Sequence, residues 1–314
     1  MSEFLKRLSK SLGISYTWWH WRWLNFRKRW SDFFSTDRNA VRHLRGGQKI
    51  CRHCGALAGA HERICPACGA RLPSAAGNFA YKVFGLIAPG VSPVTVALVT
   101  LIVADFVYAV VSSRGAAMLS PRLDTLLRAG ALDSGLVAAG QGWRLATCIF
   151  VHIGIFHILF NVFALLSVSS FLEEELGPAR YFALFMLTGL GGSIASDLLH
   201  IRVISAGASG AIFGLIGFSI VYFRRQGGAR GRDIQGFMIR WAIYAFIFGL
   251  IFGADNYAHG GGLVTGLILG AIMETREDVK QRRAPLWRAI AGLLALALIA
   301  SFVLLFLLGS GQGI

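Results

Sequence analysis

Charged side chains are scarce in this 314-residue sequence, in which Asp, Glu, Lys and Arg together account for only 15% of the residues. Hydrophobic residues account for 55%, and the mean hydropathy is +0.58. This balance excludes an ordinary soluble domain and is typical of a protein that crosses a membrane several times. Acidic residues are scarcer than basic residues, which leaves a formal net charge of +15. Because many basic residues lie beside apolar segments, we expect them to set orientation and contact anionic lipid, and we expect no nucleic acid partner.

Cysteine is also rare, and its spacing excludes a disulfide framework. Four of the five cysteines form two CxxC pairs, and Cys148 stands alone in an apolar segment. The first 30 residues also lack an apolar core followed by a small-residue cleavage site. We therefore expect no secretory signal peptide.

The CxxC pairs predict a structural zinc site within a zinc-ribbon-like module at residues 49–74. The four ligands would be Cys51, Cys54, Cys65 and Cys68. Four thiolates complete the tetrahedral shell of zinc, so the alternative ligands His53 and His61 are not needed. A closed shell leaves no position for catalysis. Thiolates require a reducing compartment, so we expect the module in the cytosol, where it could dock a partner protein.

A basic and aromatic segment, residues 1–48, precedes this module. Trp19, Trp23, Phe26 and Trp30 recur at helical spacing and would share one helix face. One interpretation is a helix that lies in the membrane interface with its rings at headgroup depth. The other interpretation is a mobile basic leader.

Seven apolar segments, each near the ~20 residues that a bilayer requires, predict membrane-spanning helices. They cover roughly residues 93–112, 146–170, 179–199, 206–223, 237–254, 258–274 and 287–308. Basic residues cluster after the fourth and sixth spans, so the positive-inside rule puts the N-terminus in the cytosol and the C-terminus outside. The long first loop, residues 113–145, carries four arginines on the predicted outer side. This loop is a partial exception to the rule.

Polar side chains inside the spans are the candidate functional residues, because a bilayer interior makes them costly. Ser209 lies near the predicted outer end of span four, in the stretch SAGASGAIFG, whose small residues let helices approach closely. His259 lies at a similar depth in span six, on one face with Gly262, Gly266 and Gly270. A histidine within hydrogen-bond reach of a serine activates the hydroxyl as a nucleophile. Helix packing alone is the alternative interpretation of GASG.

His157 and Asn161 lie one turn apart in span two and therefore share a helix face. Both side chains can donate hydrogen bonds to a developing oxyanion, as acyl transfer requires. The alternative is hydrogen bonding between helices of the bundle. Asp105 and Asp197 also lie within spans, and the sequence assigns them no role.

Together these motifs resemble the rhomboid family of intramembrane serine proteases. The matching stretches, in the family's order and spacing, are Trp143–Arg144, HILFN at 157–161, Glu173 with Gly177, GASG at 207–210 and AHGGGLVTG at 258–266. The resemblance covers roughly residues 90–275. It implies an all-α polytopic membrane protein with a six-helix core at residues 75–275. Residues 276–314 would form a cytosolic loop and an extra C-terminal helix, similar to that of some family members.

The resemblance also implies a role for each matching residue. Ser209 would be the nucleophile and His259 the general base, in a dyad without a carboxylate partner. His157 and Asn161 would join the Ser209 backbone amide in an oxyanion hole. The remaining matches would be structural: His152, Trp143, Arg144, Glu173, Gly262 and Gly266.

Two residues near the dyad bear on its mechanism. Phe213 stands where the best-known bacterial member has a tyrosine that stacks on the histidine, and a phenyl ring stacks equally well. Asp255 lies four residues before His259, so a Ser-His-Asp triad is a minor alternative.

The sequence therefore predicts a multi-pass serine endopeptidase of a cell membrane. Its substrates would be single-span membrane proteins, cut in or near the transmembrane segment without a cofactor for catalysis. A non-proteolytic rhomboid-like protein that binds or escorts membrane helices is the main alternative, although such relatives usually lose the serine or the histidine. A third hypothesis is a zinc-ribbon adaptor that the membrane part merely anchors.

Overall fold

The computed structural model describes residues 49–50, 57–59, 62, 64–67, 92–199, 204–251 and 253–308. The chain divides into two compact units, Met1–Ala80 and Tyr81–Ile314. In the first unit, strand β1 (Lys49–Ile50) pairs antiparallel with strand β2 (Leu57–Ala58), so these strands bracket the first CxxC pair in the sequence.

The predicted zinc ligands fall mostly outside the described residues. Of the four cysteines, only Cys65 is described, and its side chain is buried. Cys51, Cys54 and Cys68 lie outside the described ranges, as does the whole of residues 1–48. The zinc site and the interfacial helix therefore stay predictions.

The second unit is helical over its described residues. A short 3-10 turn, Ala116–Met118, follows the first helix. The α-helices are α1 (Pro93–Ser112), α2 (Leu123–Ala129), α3 (Ser134–Ala138), α4 (Arg144–Thr147), α5 (Gly154–Leu176), α6 (Pro178–Leu199), α7 (Ser209–Gln226), α8 (Gly228–Ile251), α9 (Asn256–Ile272), α10 (Glu277–Arg282) and α11 (Ala284–Leu308). This unit has the all-α architecture that the sequence predicts.

Each of the seven predicted spans overlaps one of the longer helices. Among the described residues, four helices are long and apolar enough to cross a membrane, namely α1, α6, α8 and α11. Helix α5 contains a shorter apolar stretch, Gly154–Ser169. These helices support a multi-pass membrane protein. The count of seven spans stays a prediction.

The second predicted span begins eight residues too early. It was expected to run from residue 146, but α4 ends at Thr147 and α5 begins at Gly154. Gly154 has a φ of 79°, and a Cβ there would lie 3.0 Å from the carbonyl oxygen of Leu119. The intervening residues Ile149, Phe150 and Val151 are almost fully buried in an irregular segment. Their hydrophobicity therefore reflects a buried loop, which composition alone does not distinguish from a helix.

Helix α7 lies at the centre of the bundle and is buried along most of its length. Helices α9 and α6 pack closely against it, and α8 packs against it from another side. The C-terminal helix α11 packs against α6 and α4. Its Phe302 ring meets the Phe150 ring at a centroid distance of 5.9 Å. The extra helix is therefore part of the packed body and covers the buried loop before α5.

Close contact between α7 and α9 depends on glycine. A Cβ on Gly262 would lie 1.9 Å from the carbonyl oxygen of Gly210, and a Cβ on Gly266 would lie 1.9 Å from that of Gly214. Both distances are far inside van der Waals contact. The two helix backbones can therefore approach this closely only where no side chain intervenes.

Two buried ionisable side chains tie loops and helix ends together. Arg144 is fully buried, and its guanidinium donates to the Leu127 and Ala131 carbonyl oxygens at 2.8 Å, at the C-terminal end of α2. Glu173 accepts hydrogen bonds from the Val94 and Thr95 amides, both at 2.9 Å, at the N-terminus of α1. The Glu173 carboxylate thus satisfies amides at the start of α1, and Arg144 holds the chain at the end of α2.

Candidate active site

The side chains of Ser209 and His259 meet where two helices begin. Ser209 is the first residue of α7, and His259 lies in the first turn of α9. The distance from Ser209 Oγ to His259 Nε2 is 2.9 Å. The glycine contacts between these helices bring both N-terminal ends to one level. A buried imidazole at this distance can accept the proton of the hydroxyl.

The orientation of the His259 ring is fixed from two sides. The Phe213 ring stacks on it with a centroid distance of 4.3 Å and an interplanar angle of 17°. His259 Nδ1 lies 3.1 Å from Oδ1 of Asn256. Since an amide oxygen can only accept, Nδ1 carries the proton and Nε2 presents its lone pair to Ser209.

Asn256, which the sequence analysis did not single out, occupies the position expected of a triad's third member. Asp255, the minor alternative, instead accepts from the amides of Tyr257 and Ala258 at the start of α9. Its other carboxylate oxygen accepts a hydrogen bond from Ser196 Oγ at 2.5 Å. His259 Nδ1 therefore donates its proton to an amide oxygen. The spacing of i and i+3 on one helix is the signal in the sequence that could have identified Asn256.

His157 faces the same small space as the Ser209 hydroxyl. Its Nδ1 accepts the Ile153 amide at 3.2 Å, so its proton lies on Nε2. Gly207 has a φ of 128°, and a Cβ built on it would lie 2.9 Å from His157 Nε2 and 3.8 Å from Ser209 Oγ. The missing side chain at Gly207 therefore leaves room beside the nucleophile, with an N–H donor at its edge.

Asn161 lies one turn further along α5 and is buried. Its Nδ2 donates to the His157 carbonyl oxygen at 2.9 Å, and its buried Oδ1 has no hydrogen-bond partner among the described residues. The hydrogen bond therefore stays within α5, and a second Nδ2 hydrogen is left over. His152 lies beside this pair, with its ring centroid 5.1 Å from that of His157 and its Nδ1 2.9 Å from the Phe150 carbonyl oxygen.

The segment before Ser209 is held by the first loop. Leu132 and Ser205 form an isolated antiparallel bridge, with N–O distances of 2.9 and 3.1 Å. The Gly207 amide donates to the Cys148 carbonyl oxygen at 2.9 Å. Arg144 anchors the loop residues that precede both contacts. Its expected structural role thus has a physical basis: it fixes the loop that positions the nucleophile.

Metal-binding groups are not assembled at this site. Across the ranges that the structure describes, no three His, Cys, Asp or Glu side chains lie together as a metal site requires. The chemistry that the geometry offers is attack by an activated hydroxyl, with nearby N–H donors for a developing negative charge.

Comparison with known proteins points to one family. Residues 139–276 match the Rhomboid domain. RHOMBOID-like protein 1 of Arabidopsis thaliana is 35% identical over 176 residues, which are 51% of this chain and 42% of the relative. Rhomboid protease GluP of Bacillus subtilis is 37% identical over 155 residues, which are 49% of this chain and 30% of the relative.

The family also contains a relative named as inactive. Inactive RHOMBOID-like protein 8 of Arabidopsis thaliana is 29% identical over 151 residues, which are 47% of this chain and 43% of the relative. The chain spans about half the length, or less, of these curated relatives. The domain match and the rhomboid-like relatives support the assignment of residues 139–276 to the rhomboid family.

Proposed function

We propose that this protein is an intramembrane serine endopeptidase. The observation that carries the proposal is the 2.9 Å contact between Ser209 Oγ and His259 Nε2 inside a bundle of apolar helices. A relative named as a rhomboid protease supports proteolysis at the level of the family. The substrates would be single-span membrane proteins, cut in or near the transmembrane segment.

The proposed reaction is acyl transfer through a Ser-His dyad. Ser209 Oγ attacks the scissile carbonyl carbon while His259 Nε2 takes the hydroxyl proton. His157 Nε2–H, the free Nδ2 hydrogen of Asn161 and the Ser209 amide donate to the oxyanion. The tetrahedral intermediate collapses to an acyl-enzyme as His259 passes its proton to the leaving amine. Water then attacks the ester with His259 as base, which releases the acid and restores Ser209.

The substrate's route to the site is proposed to lie between α5 and α8. These helices meet through aromatic side chains: the Phe160 and Phe248 rings lie 5.6 Å apart, and the Phe163 and Trp241 rings 6.5 Å apart. Phe160 and Phe248 are both more than 40% exposed. Because aromatic side chains contribute to closing this side, we propose that a helix arriving from the bilayer reaches the site when these rings change rotamer.

Orientation and metal content complete the proposal. The clusters of basic residues after α7 and α9 support the proposal that those ends and the N-terminus lie in the cytosol, with the C-terminus outside. The site at the opposite ends of these helices then faces the outer aqueous side, which supplies water for hydrolysis. We also propose that the four cysteines of the CxxC pairs bind a structural zinc ion.

Covalent labelling tests the proposal directly. The full-length protein in proteoliposomes should react with a fluorophosphonate probe, and peptide mass spectrometry should place the adduct on Ser209. The same vesicles should cut a generic single-span substrate. A non-proteolytic protein that binds or escorts membrane helices would remain unlabelled and leave the substrate intact. That result would overturn the protease proposal.

Asn256→Ala is expected to slow cleavage without abolishing it. The change removes the acceptor at His259 Nδ1, a hydrogen bond worth about 1 kcal/mol, so kcat should fall about fivefold. Asn256→Asp keeps an acceptor at the same place and should recover most of the rate. Steady-state cleavage by the three proteins measures the effect. Equal rates for wild type and Asn256→Ala would show that Asn256 does not position the imidazole.

A further inference from the structure

A cationic pocket in the first loop is not used by the proposed reaction. Its volume is about 260 Å³. It lies at the C-terminal end of α1 and extends along α2. Three arginines and one carboxylate contribute to its lining, beside serine and threonine hydroxyls: Arg114, Arg122, Arg128, Asp124, Ser113 and Thr125.

The arginines of this pocket explain the exception to the positive-inside rule. Of the four arginines in the first loop, Arg144 is buried and bonded to carbonyl oxygens, so it serves the fold. The other three are exposed and converge on the pocket. Arg122 Nε lies 3.4 Å from Asp124 Oδ1, but its side chain is 80% exposed. Within the described residues, Arg114 and Arg128 side chains form no hydrogen bond or ion pair, so the pocket keeps an excess of two positive charges.

Exposed apolar side chains lie close in sequence to the residues that line the pocket. Val111 and Leu119 are 71% and 74% exposed, and Leu123 is 55% exposed. Helix α1, one of the apolar helices long enough to cross a membrane, ends at Ser112. We expect guanidinium groups next to exposed apolar side chains at the end of such a helix to lie at the depth of lipid headgroups.

We propose that this pocket binds the phosphate group of an anionic phospholipid. Guanidinium groups match phosphate oxygens in geometry and charge, and the Thr125 hydroxyl adds a further donor. The exposed side chains of Val111, Leu119 and Leu123 favour a phosphate that carries acyl chains over a free phosphate. This inference goes beyond the proposed protease function and does not depend on it.

The backbone at Arg114 offers a test that does not threaten the fold. Arg114 follows the C-cap residue Ser113 of α1 and has a φ of 53°, in the left-handed region. Glycine is preferred at this position because it has no Cβ. Arg114→Gly should therefore fold at least as stably as the wild type while it removes one of the three cations.

The experiment measures retention of phosphatidylglycerol by the full-length protein in detergent, with native mass spectrometry and a phosphatidylcholine reference. Each arginine near a membrane surface contributes about fivefold to the affinity for an anionic lipid. The affinity for phosphatidylglycerol should therefore fall about fivefold in Arg114→Gly and about thirtyfold in the double variant Arg122→Gln/Arg128→Gln. Asp124→Asn removes the opposing charge and should strengthen binding. Phosphatidylcholine retention should not change.

A matched charge control separates a site from general attraction. Arg230 and Arg232 on α8 are exposed and lie outside the pocket, and Arg230→Gln/Arg232→Gln removes the same charge as the double variant. Equal losses in the two double variants, or no loss in Arg114→Gly, would overturn the proposal. Inorganic phosphate is added as a competitor. Displacement of the lipid at millimolar phosphate assigns the site to phosphate anions in general, and persistence of the lipid assigns it to headgroups.

Discussion

Ser209→Ala is expected to abolish cleavage of a single-span substrate in proteoliposomes. Removal of the hydroxyl leaves His259 with no nucleophile to activate, and loss of a serine nucleophile lowers kcat on the order of 10⁵-fold or more. Substrate binding should change little, because the oxyanion donors and the helix contacts remain. Product formation over hours, with wild type and variant at equal amounts, measures the effect.

Ser219→Ala is the matched control for this substitution. Ser219 lies on the same helix, is fully buried, and donates to the Leu215 carbonyl oxygen at 2.7 Å. Its loss should leave cleavage near the wild-type rate, because the hydroxyl donates only to a carbonyl oxygen of its own helix. If Ser209→Ala cuts as fast as Ser219→Ala, Ser209 is not the nucleophile. If a cellular phenotype survives Ser209→Ala but fails with Cys51→Ala, the zinc-ribbon adaptor becomes the better hypothesis.

The geometry of the dyad was largely predictable because helix periodicity carries it. Glycines every four residues define one face of α9, and His259 continues that face, so its approach to α7 follows from spacing. The depth of Ser209 at the start of the neighbouring helix follows from hydropathy. Glycine spacing and hydropathy together therefore sufficed to predict which side chains meet.

The features that the sequence left open depend on tertiary contacts without periodicity. Asn256 and Asp255 are adjacent, short and polar, and which of them faces His259 depends on how α9 is capped. Likewise, the buried loop before α5 is as hydrophobic as a span, and its irregular backbone depends on α11 and α6 packing over it. The antiparallel bridge between Leu132 and Ser205 joins residues far apart in sequence, and no local pattern indicates it.

Arg144 is a residue whose structural role was predicted but whose contact partners were not. The resemblance assigned it a structural role, but no partner for its charge could be predicted from the sequence. In the fold, backbone carbonyl oxygens surround it, and burial lowers the pKa of its guanidinium below the ordinary value. Such a charge is tolerated inside because Nε donates to Gln141 Oε1 and one terminal nitrogen donates to two carbonyl oxygens, and these contacts arise from three-dimensional packing.

Gly266→Ala is expected to destabilise the bundle strongly. Its Cβ would lie 1.9 Å from the Gly214 carbonyl oxygen and 2.9 Å from Gly214 Cα, and backbone atoms cannot rotate away. Helices α7 and α9 must therefore separate, and overpacking of this kind costs about 3 kcal/mol. Denaturation of the detergent-solubilised protein, followed by circular dichroism, should show a lower midpoint. Fluorophosphonate labelling of Ser209 should fall as well, because separation lengthens the bond to His259.

Gly260→Ala on the same helix provides the matched comparison. Among the described residues, no atom of a neighbouring element lies within 4 Å of the Cβ that it would add, so the change brings only the higher helix propensity of alanine, about 1 kcal/mol. Gly260→Ala should be at least as stable as wild type and keep its labelling. If Gly266→Ala matched it in both measurements, α7 and α9 would have room for a side chain between them. The glycine face of α9 would then not be required for the 2.9 Å contact between Ser209 and His259. Glycine spacing would no longer explain the geometry of the dyad.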